Sequence, residues 1–94
     1  LYPELPTMAE AGMPDFTNTV AYVLVAPKTT APETVARLNA TTNNVIGSEK
    51  FQRKMKGIGL TIAKPLNPAQ TAEFVSAEES RWESLLKSAN IKLD

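Results

Sequence analysis

Apolar residues recur at helical spacing over residues 67–90, and this stretch predicts the main structural element of the chain. Asn67 suits the N-cap, Pro68 the first helical position and Gln70 the reciprocal position of a capping box. Steps of three, four and seven residues place one apolar stripe along this helix: Phe74, Val75, Trp82, Leu85 and Leu86. The stripe predicts a long helix whose Trp82 side is buried against other elements.

Two further stretches have the composition of β-strands. Residues 16–27 are rich in β-branched and aromatic side chains, and they become continuously apolar from Val23 to Ala26 before Pro27 ends the run. A continuously apolar run is typical of a strand that is buried on both faces of an α/β sheet. Residues 60–63 predict a second, shorter strand.

Helix signals occupy the stretches between and before these strands. Residues 30–47 predict a helix that begins at Thr30, with Pro32 in its first turn and Glu33 at the capping-box position. Residues 48–57 predict a second helix that Ser48 caps and Gly57 closes, and residues 1–15 predict a loop with one short helical turn. The predicted fold is therefore α/β, with the order strand, helix, helix, strand, long helix.

Composition excludes several kinds of chemistry. The 94 residues contain neither cysteine nor histidine and carry a formal net charge of zero. Disulfides, thiolate or imidazole metal sites and the usual Ser-His or Cys-His nucleophile pairs are therefore excluded, and no overall field attracts nucleic acid. No signal peptide or membrane-spanning run is predicted, and the start at Leu1 suggests a trimmed or mature fragment.

Two groups of charged residues are candidates for function. The basic group follows Ser48 and consists of Lys50, Arg53, Lys54 and Lys56. The acidic group lies in the long helix and consists of Glu78, Glu79 and Glu83. The basic group could form a DNA-binding surface on adjacent helices, and the acidic group could serve acid–base chemistry or a metal. A solvated helix surface explains both groups better, because the basic side chains spread around their helix and the carboxylates have no histidine partner.

A resemblance to a known family covers essentially the whole chain. Residues 5–12, Leu-Pro-Thr-Met-Ala-Glu-Ala-Gly, resemble a segment in the C-terminal third of the Bug receptors of Gram-negative bacteria. Further matching positions are Phe16, Tyr22, Leu24, Ala26, Pro27, Pro32, Val35, Leu38, Asn39, Val45, Gly59, Pro68, Phe74, Arg81, Trp82, Ile91, Lys92 and Asp94. The chain departs from the family pattern at Ala21 and Val23, where a tryptophan and a glycine are usual, and at Asn90, which replaces a glycine.

The resemblance implies a part of a periplasmic solute receptor of the tripartite tricarboxylate transporter type. It implies a two-domain fold like that of type II periplasmic binding proteins, which closes on a small carboxylate solute and delivers it to membrane transporter subunits. It implies no catalysis, no catalytic residue, no cofactor, no metal and no nucleic acid. Residues 1–94 would be the C-terminal segment. We expect residues 16–27 to cross between the lobes, because they lead from a proline-rich loop into a continuously apolar strand.

Within that segment, Tyr22 is the one candidate ligand contact, since a tyrosine near a cleft can meet a ligand directly or through water. A packed tyrosine in the strand is the alternative, and the other ligand contacts are expected upstream of Leu1. A segment separated from a larger domain exposes apolar surface, so a homodimer of this chain is also expected. The alternative function is a small helical DNA-binding module, and the sequence does not identify the ligand.

Overall fold

The computed structural model describes residues 2–92, and in that range the regular secondary structure is helical. Helix α1 spans Pro32–Gly47, helix α2 spans Glu49–Gly57 and helix α3 spans Pro68–Ser88. Helix α1 packs against both of the others. Asp94, which matches the family pattern, lies outside the described residues, as do Leu1 and Leu93.

Helix α3 begins with the predicted capping box. The backbone N–H of Gln70 donates to Asn67 Oδ1 over 2.8 Å, and the backbone N–H of Asn67 donates to Gln70 Oε1 over 2.9 Å. Pro68 occupies the first turn, where it has no intrahelical hydrogen bond to lose. Because these groups are at most three residues apart, the start of α3 is a local property of the sequence.

The end of helix α3 is a Schellman motif in which an asparagine takes the place of glycine. Asn90 has a φ of 53°, in the left-handed region. Its N–H donates to the carbonyl of Lys87 over 3.1 Å, and the N–H of Ile91 donates to the carbonyl of Leu86 over 3.0 Å. These are the two hydrogen bonds of the motif, and asparagine tolerates the conformation better than other residues that carry a Cβ.

Helix α1 begins two residues later than the sequence pattern predicts. Ala31 is the N-cap and makes no side-chain capping hydrogen bond. The N–H of Thr30 instead donates to the carbonyl of Pro27 over 3.0 Å, which places Thr30 at the end of a turn rather than at the helix start. Pro32 still occupies the first turn, because its fixed φ suits that position whatever precedes it.

A single residue, Ser48, separates helices α1 and α2. Its Oγ donates to the carbonyl of Val45 over 2.7 Å and accepts from the N–H of Phe51 over 3.4 Å. Helix α2 extends to Gly57, but the left-handed residue that terminates it is Gly59, with a φ of 82°. The predicted end at Gly57 is confirmed as the last residue of the helix, while Gly59 rather than Gly57 adopts the left-handed conformation.

The predicted α/β class and its order of strand, helix, helix, strand and long helix are wrong. Neither residues 16–27 nor residues 60–63 form a strand in the part of the chain that the structure describes. A strand pairs its backbone N–H and C=O groups with a neighbouring strand, and within residues 2–92 no stretch pairs with either segment. Strand-like composition indicates that a segment could pack well in a sheet, but the segment becomes a strand only if a neighbouring strand is present to pair with it.

The chain has an open shape with no fully buried residue among residues 2–92. Its radius of gyration is 16.7 Å, whereas a compact domain of this length has about 12 Å. Its accessible surface is 8577 Å², against about 5,300 Å² for a self-contained folded chain of this size. Trp82 keeps 41% of its surface exposed, so the predicted burial of the α3 stripe is incomplete.

Candidate functional site

Tyr22 lies in the middle of an exposed apolar segment, which we define as residues 16–27. Tyr22 is 82% exposed, so it is not packed against the other described residues. The neighbouring Val20 and Val25 are almost equally exposed. A tyrosine in this setting presents an apolar ring and one hydroxyl that can donate and accept.

The apolar segment and helix α3 together account for much of the exposed apolar surface. The large apolar side chains of these two elements that remain exposed are Phe16, Val20, Tyr22, Val23, Leu24, Val25, Phe74, Val75, Trp82 and Leu85. Extensive exposed apolar surface of this kind marks a region that packs against something else.

One side-chain cluster joins the apolar segment to helix α3. The Nη1 of Arg81 donates to the backbone carbonyl of Thr17 over 3.3 Å, and its Nη2 donates to Glu78 Oε2 over 3.0 Å. The guanidinium carbon of Arg81 lies 5.2 Å from the ring centroid of Trp82, within the range of a cation–π contact. We call Glu78, Arg81 and Trp82 the Arg81 cluster.

Glu78 is held in its charged form by this cluster. The hydrogen bond from the Arg81 guanidinium is the largest effect that lowers the pKa of Glu78 below the usual carboxyl value. Partial burial opposes the shift of this pKa, while the charge of Arg81 and the nearby Trp82 indole support it. The carboxylate therefore favours the ionised state that orients Arg81.

A second polar cluster fixes helix α1 against the start of α3. The amide nitrogens of Asn39 and Asn43 donate to the backbone carbonyl of Leu66, over 2.8 and 3.1 Å. Asn43 also donates to Asn39 Oδ1 over 3.3 Å. Because all three residues are half-buried, the two amides saturate a carbonyl that water reaches only in part. We call Asn39, Asn43 and Leu66 the asparagine clamp.

The charged candidates from the sequence do not converge on a site. Arg53 pairs with Glu49 over 3.6 Å and Lys87 pairs with Glu83 over 2.7 Å, in both cases within one exposed helix surface. Glu78 belongs to the Arg81 cluster rather than to a pair of carboxylates. These contacts match the interpretation as solvated helix surfaces, and each exposed pair contributes about 0.3–0.5 kcal/mol.

The described residues offer contact surfaces rather than reactive groups. No group of acidic side chains that could hold a metal ion occurs within residues 2–92. Two open surface depressions are present, one along α1 beside Thr34, Arg37 and Leu38, and one beside Gln52, Lys56 and residues 60–64. Neither brings together two carboxylates or a nucleophile with a base.

Sequence reasoning missed both polar clusters. The asparagine clamp had a faint signal, because Asn39 and Asn43 are four residues apart and share one side of α1. Their acceptor, the carbonyl of Leu66, carries no signal in its side chain. The Arg81 cluster had a local signal in the three-residue spacing of Glu78 and Arg81, but nothing in the pattern indicated Thr17, 64 positions away.

Comparison with known proteins assigns the chain to a class of transport receptors. The model of the family described as "Tripartite tricarboxylate transporter family receptor" matches residues 1–91. The chain belongs to this tripartite tricarboxylate transporter receptor family, which confirms the resemblance found in the sequence. No solved structure matched the chain significantly.

Two relatives are similar over most of the chain. Protein BugT of Bordetella pertussis (strain Tohama I) is 32% identical over 92 residues, covering 98% of this chain and 28% of BugT. The UPF0065 protein in the tcbD-tcbE intergenic region of Pseudomonas sp. (strain P51) is 35% identical over 85 residues, covering 89% of this chain and 25% of that protein. The chain thus spans about a quarter of the length of each of these relatives. Within residues 2–92, no helix is both long and apolar enough to cross a membrane.

Proposed function

We propose that the chain is a part of a periplasmic substrate-binding receptor of a tripartite tricarboxylate-type transport system. The receptor binds a small carboxylate-containing solute in an interdomain cleft and passes it to membrane transporter subunits. The observation that carries this proposal is the family match over residues 1–91. The role requires affinity and release rather than bond breaking, so it is not enzymatic and calls for no cofactor.

The exposed surface supports the view that this chain works as part of a larger receptor. The chain exposes about 3,300 Å² more than a self-contained chain of its size. Permanent interfaces cover about 1,000–2,500 Å² or more on each partner, and they are more apolar than transient ones. The apolar segment and the outer side of α3 are the surfaces that the remaining part of a receptor would cover. In the isolated chain, the same surfaces favour pairing with a second copy.

Tyr22 is the residue that we propose for ligand contact within this chain. Tyr22 is 82% exposed in this chain, so in a receptor its ring and hydroxyl would face the part that covers the apolar segment, where a cleft between lobes would lie. The segment is held to the helices at Thr17. A hydroxyl donor suits a carboxylate oxygen, directly or through a water molecule. Most of the polar groups that define the solute are then expected in other parts of the receptor.

Calorimetric titration of the complete gene product with mono-, di- and tricarboxylates tests the proposal, with the matching amides as uncharged controls. We expect saturable binding of at least one carboxylate and none of its amide. A protein that bound none of the carboxylates, but shifted DNA in a gel with a steep loss of binding as salt rises, would favour the helical DNA-binding module instead.

Substitutions at Tyr22 test its role in the same assay. Loss of one hydrogen bond to the ligand in Tyr22→Phe is expected to weaken binding about fivefold, and Tyr22→Ala is expected to weaken it further. Leu24→Ala is the matched control, since Leu24 is an exposed residue of the same segment. Unchanged affinity in both Tyr22 variants would remove Tyr22 from the binding site.

A further inference from the structure

The Arg81 cluster makes an unusual connection between distant parts of the chain. Among the side-chain hydrogen bonds of the described residues, the one from Arg81 to Thr17 joins the first 26 residues to the helices. The two partners are 64 positions apart. The other side-chain hydrogen bonds of helix α3 join residues within four positions of one another.

Arg81 is restrained in a way that the other ion-pairing residues are not. Its side chain is 36% exposed and that of Glu78 is 31% exposed, whereas the exposed fractions in the other two ion pairs run from 64% to 85%. One terminal nitrogen of Arg81 is directed at Glu78, the other at Thr17, and the guanidinium group lies near the Trp82 ring. The planar fork of a guanidinium directs separate nitrogens at two acceptors in fixed directions, whereas the donors of an ammonium group rotate about a single nitrogen.

Thr17 lies near the start of the apolar segment, so its position affects the placement of the residues that follow it. Its carbonyl is near the start of residues 16–27, and Tyr22 follows five positions later in a run without helical or strand hydrogen bonds. A restraint at Thr17 therefore sets the point from which the segment extends. Without it, the segment would next be held at the turn that joins Pro27 and Thr30.

We propose that Arg81 is a positioning residue that anchors the apolar segment to helix α3, with Glu78 orienting its guanidinium and Trp82 limiting its rotation. The anchor determines where residues 16–27 leave the helical part of the protein. If the proposed function holds, the anchor also sets the relative position of the two lobes, since residues 16–27 are the proposed crossing between them. Hinges that close around a ligand commonly rely on a few such positions.

The test measures the distance between spin labels on the two sides of the anchor. Cysteines replace Asn18, next to the anchored carbonyl, and Glu79, an exposed residue of α3, in the complete gene product. The present chain has no cysteine that would compete for the label, and any elsewhere in the product are replaced by serine. With Arg81 intact we expect one narrow distance peak.

Arg81→Met is expected to abolish the narrow peak, because it removes both hydrogen bonds while keeping the apolar stem. Arg81→Lys is expected to broaden the peak partially, and Glu78→Gln less than Arg81→Lys. Lys87→Met is the matched control, since Lys87 pairs with Glu83 on the same helix and has no contact with the apolar segment among its hydrogen bonds. The control is expected to leave the peak unchanged.

Several results would overturn the anchor. A broad distribution with Arg81 intact, a narrow peak that persists in Arg81→Met, or equal broadening in Lys87→Met would each do so. A purely stabilising role for Arg81 would lower the denaturation midpoint but leave the peak narrow, and this too would refute positioning. If Arg81→Met fails to fold, Arg81→Lys and Glu78→Gln decide the matter by the same peak.

Carboxylate titration of the same variants separates this inference from the proposed function. If the unmodified protein binds no carboxylate, the proposed function fails, while the distance peak still decides whether Arg81 is an anchor. If it binds and the anchor exists, Arg81→Met is expected to change the affinity and Lys87→Met is not. An unchanged affinity in Arg81→Met would refute the link between the anchor and closure.

Discussion

The asparagine clamp makes a sharp prediction, because its central acceptor is a backbone carbonyl that cannot be mutated away. Asn39→Asp keeps the size and shape of the side chain but replaces the amide that donates to the carbonyl of Leu66 over 2.8 Å. The introduced carboxylate can only accept at neutral pH, so two oxygens would face each other across that distance. The side chain must then turn away, which leaves the Leu66 carbonyl with Asn43 alone.

The expected cost follows from what is lost at the clamp. A hydrogen bond of this kind contributes about 1 kcal/mol, and leaving a half-buried polar group short of a partner costs about 1–3 kcal/mol if the site cannot admit water. Because the clamp is half-buried rather than sealed, we expect Asn39→Asp to lower the free energy of unfolding by about 2 kcal/mol. Urea denaturation of the complete gene product at pH 7 measures this value, provided that the slope with urea is unchanged.

Asn44→Asp is the matched control for charge and helix. Asn44 is exposed on the same helix, so its substitution adds the same charge without touching the clamp. We expect it to cost about 0.5 kcal/mol or less, through the negative end of the helix. As the pH falls through about 4, the introduced carboxyl at position 39 becomes protonated and regains a donor, so the difference between the two variants should narrow. If the two variants are within about 0.5 kcal/mol of each other at pH 7, the clamp does not stabilise the fold as argued.

Three further predictions concern other parts of the chain. Asn90→Gly is expected to raise the free energy of unfolding by about 0.5–1 kcal/mol, because glycine adopts the left-handed conformation without strain. Asn90→Ala is the control and should lower the free energy of unfolding. A loss of stability in Asn90→Gly would contradict the assignment of a Schellman motif at Asn90. Since the folded-state pKa of Glu78 is lowered, the stability that its charge supplies is present above the usual carboxyl pKa of 4.5 and is lost as pH falls through the folded value. The pH dependence of the melting temperature in this range should therefore be weaker in Glu78→Gln, and an identical profile would argue against the Arg81 cluster. The isolated 94-residue chain is expected to form dimers through its exposed apolar surface, and light scattering that showed only monomers at high concentration would oppose this.

Signals within four residues of one another predicted the helices well. Asn67, Pro68 and Gln70 placed the start of α3, and Ser48 placed the start of α2, because each capping group meets its partner within the same turn. Thr30 was a less successful signal, since the preceding proline turn competes for its N–H. The capping pattern at Thr30 correctly predicted helix α1 but not its first residue.

The candidate site was only partly accessible from the sequence. Tyr22 was selected because it is a tyrosine in an apolar, strand-like segment. The structure shows that Tyr22 is exposed, and its role in ligand binding stays a proposal. Arg81 was visible as a residue of the family pattern, but its contact with Thr17 was not. A side chain that donates to a distant backbone carbonyl leaves no complementary side chain to recognise.

By itself, the sequence determined the family, the three helices and the N-terminal caps of α2 and α3, because these depend on residue identities and on contacts within one turn. Only the tertiary structure decided that residues 16–27 and 60–63 form no strand in the described chain, since a strand exists through a partner and not through its own composition. It also decided that Asn39 and Asn43 meet Leu66 and that Arg81 meets Thr17, over 23 to 64 positions. Such contacts depend on how the helices pack. A local pattern of apolar and polar residues does not indicate which distant backbone group a side chain will contact.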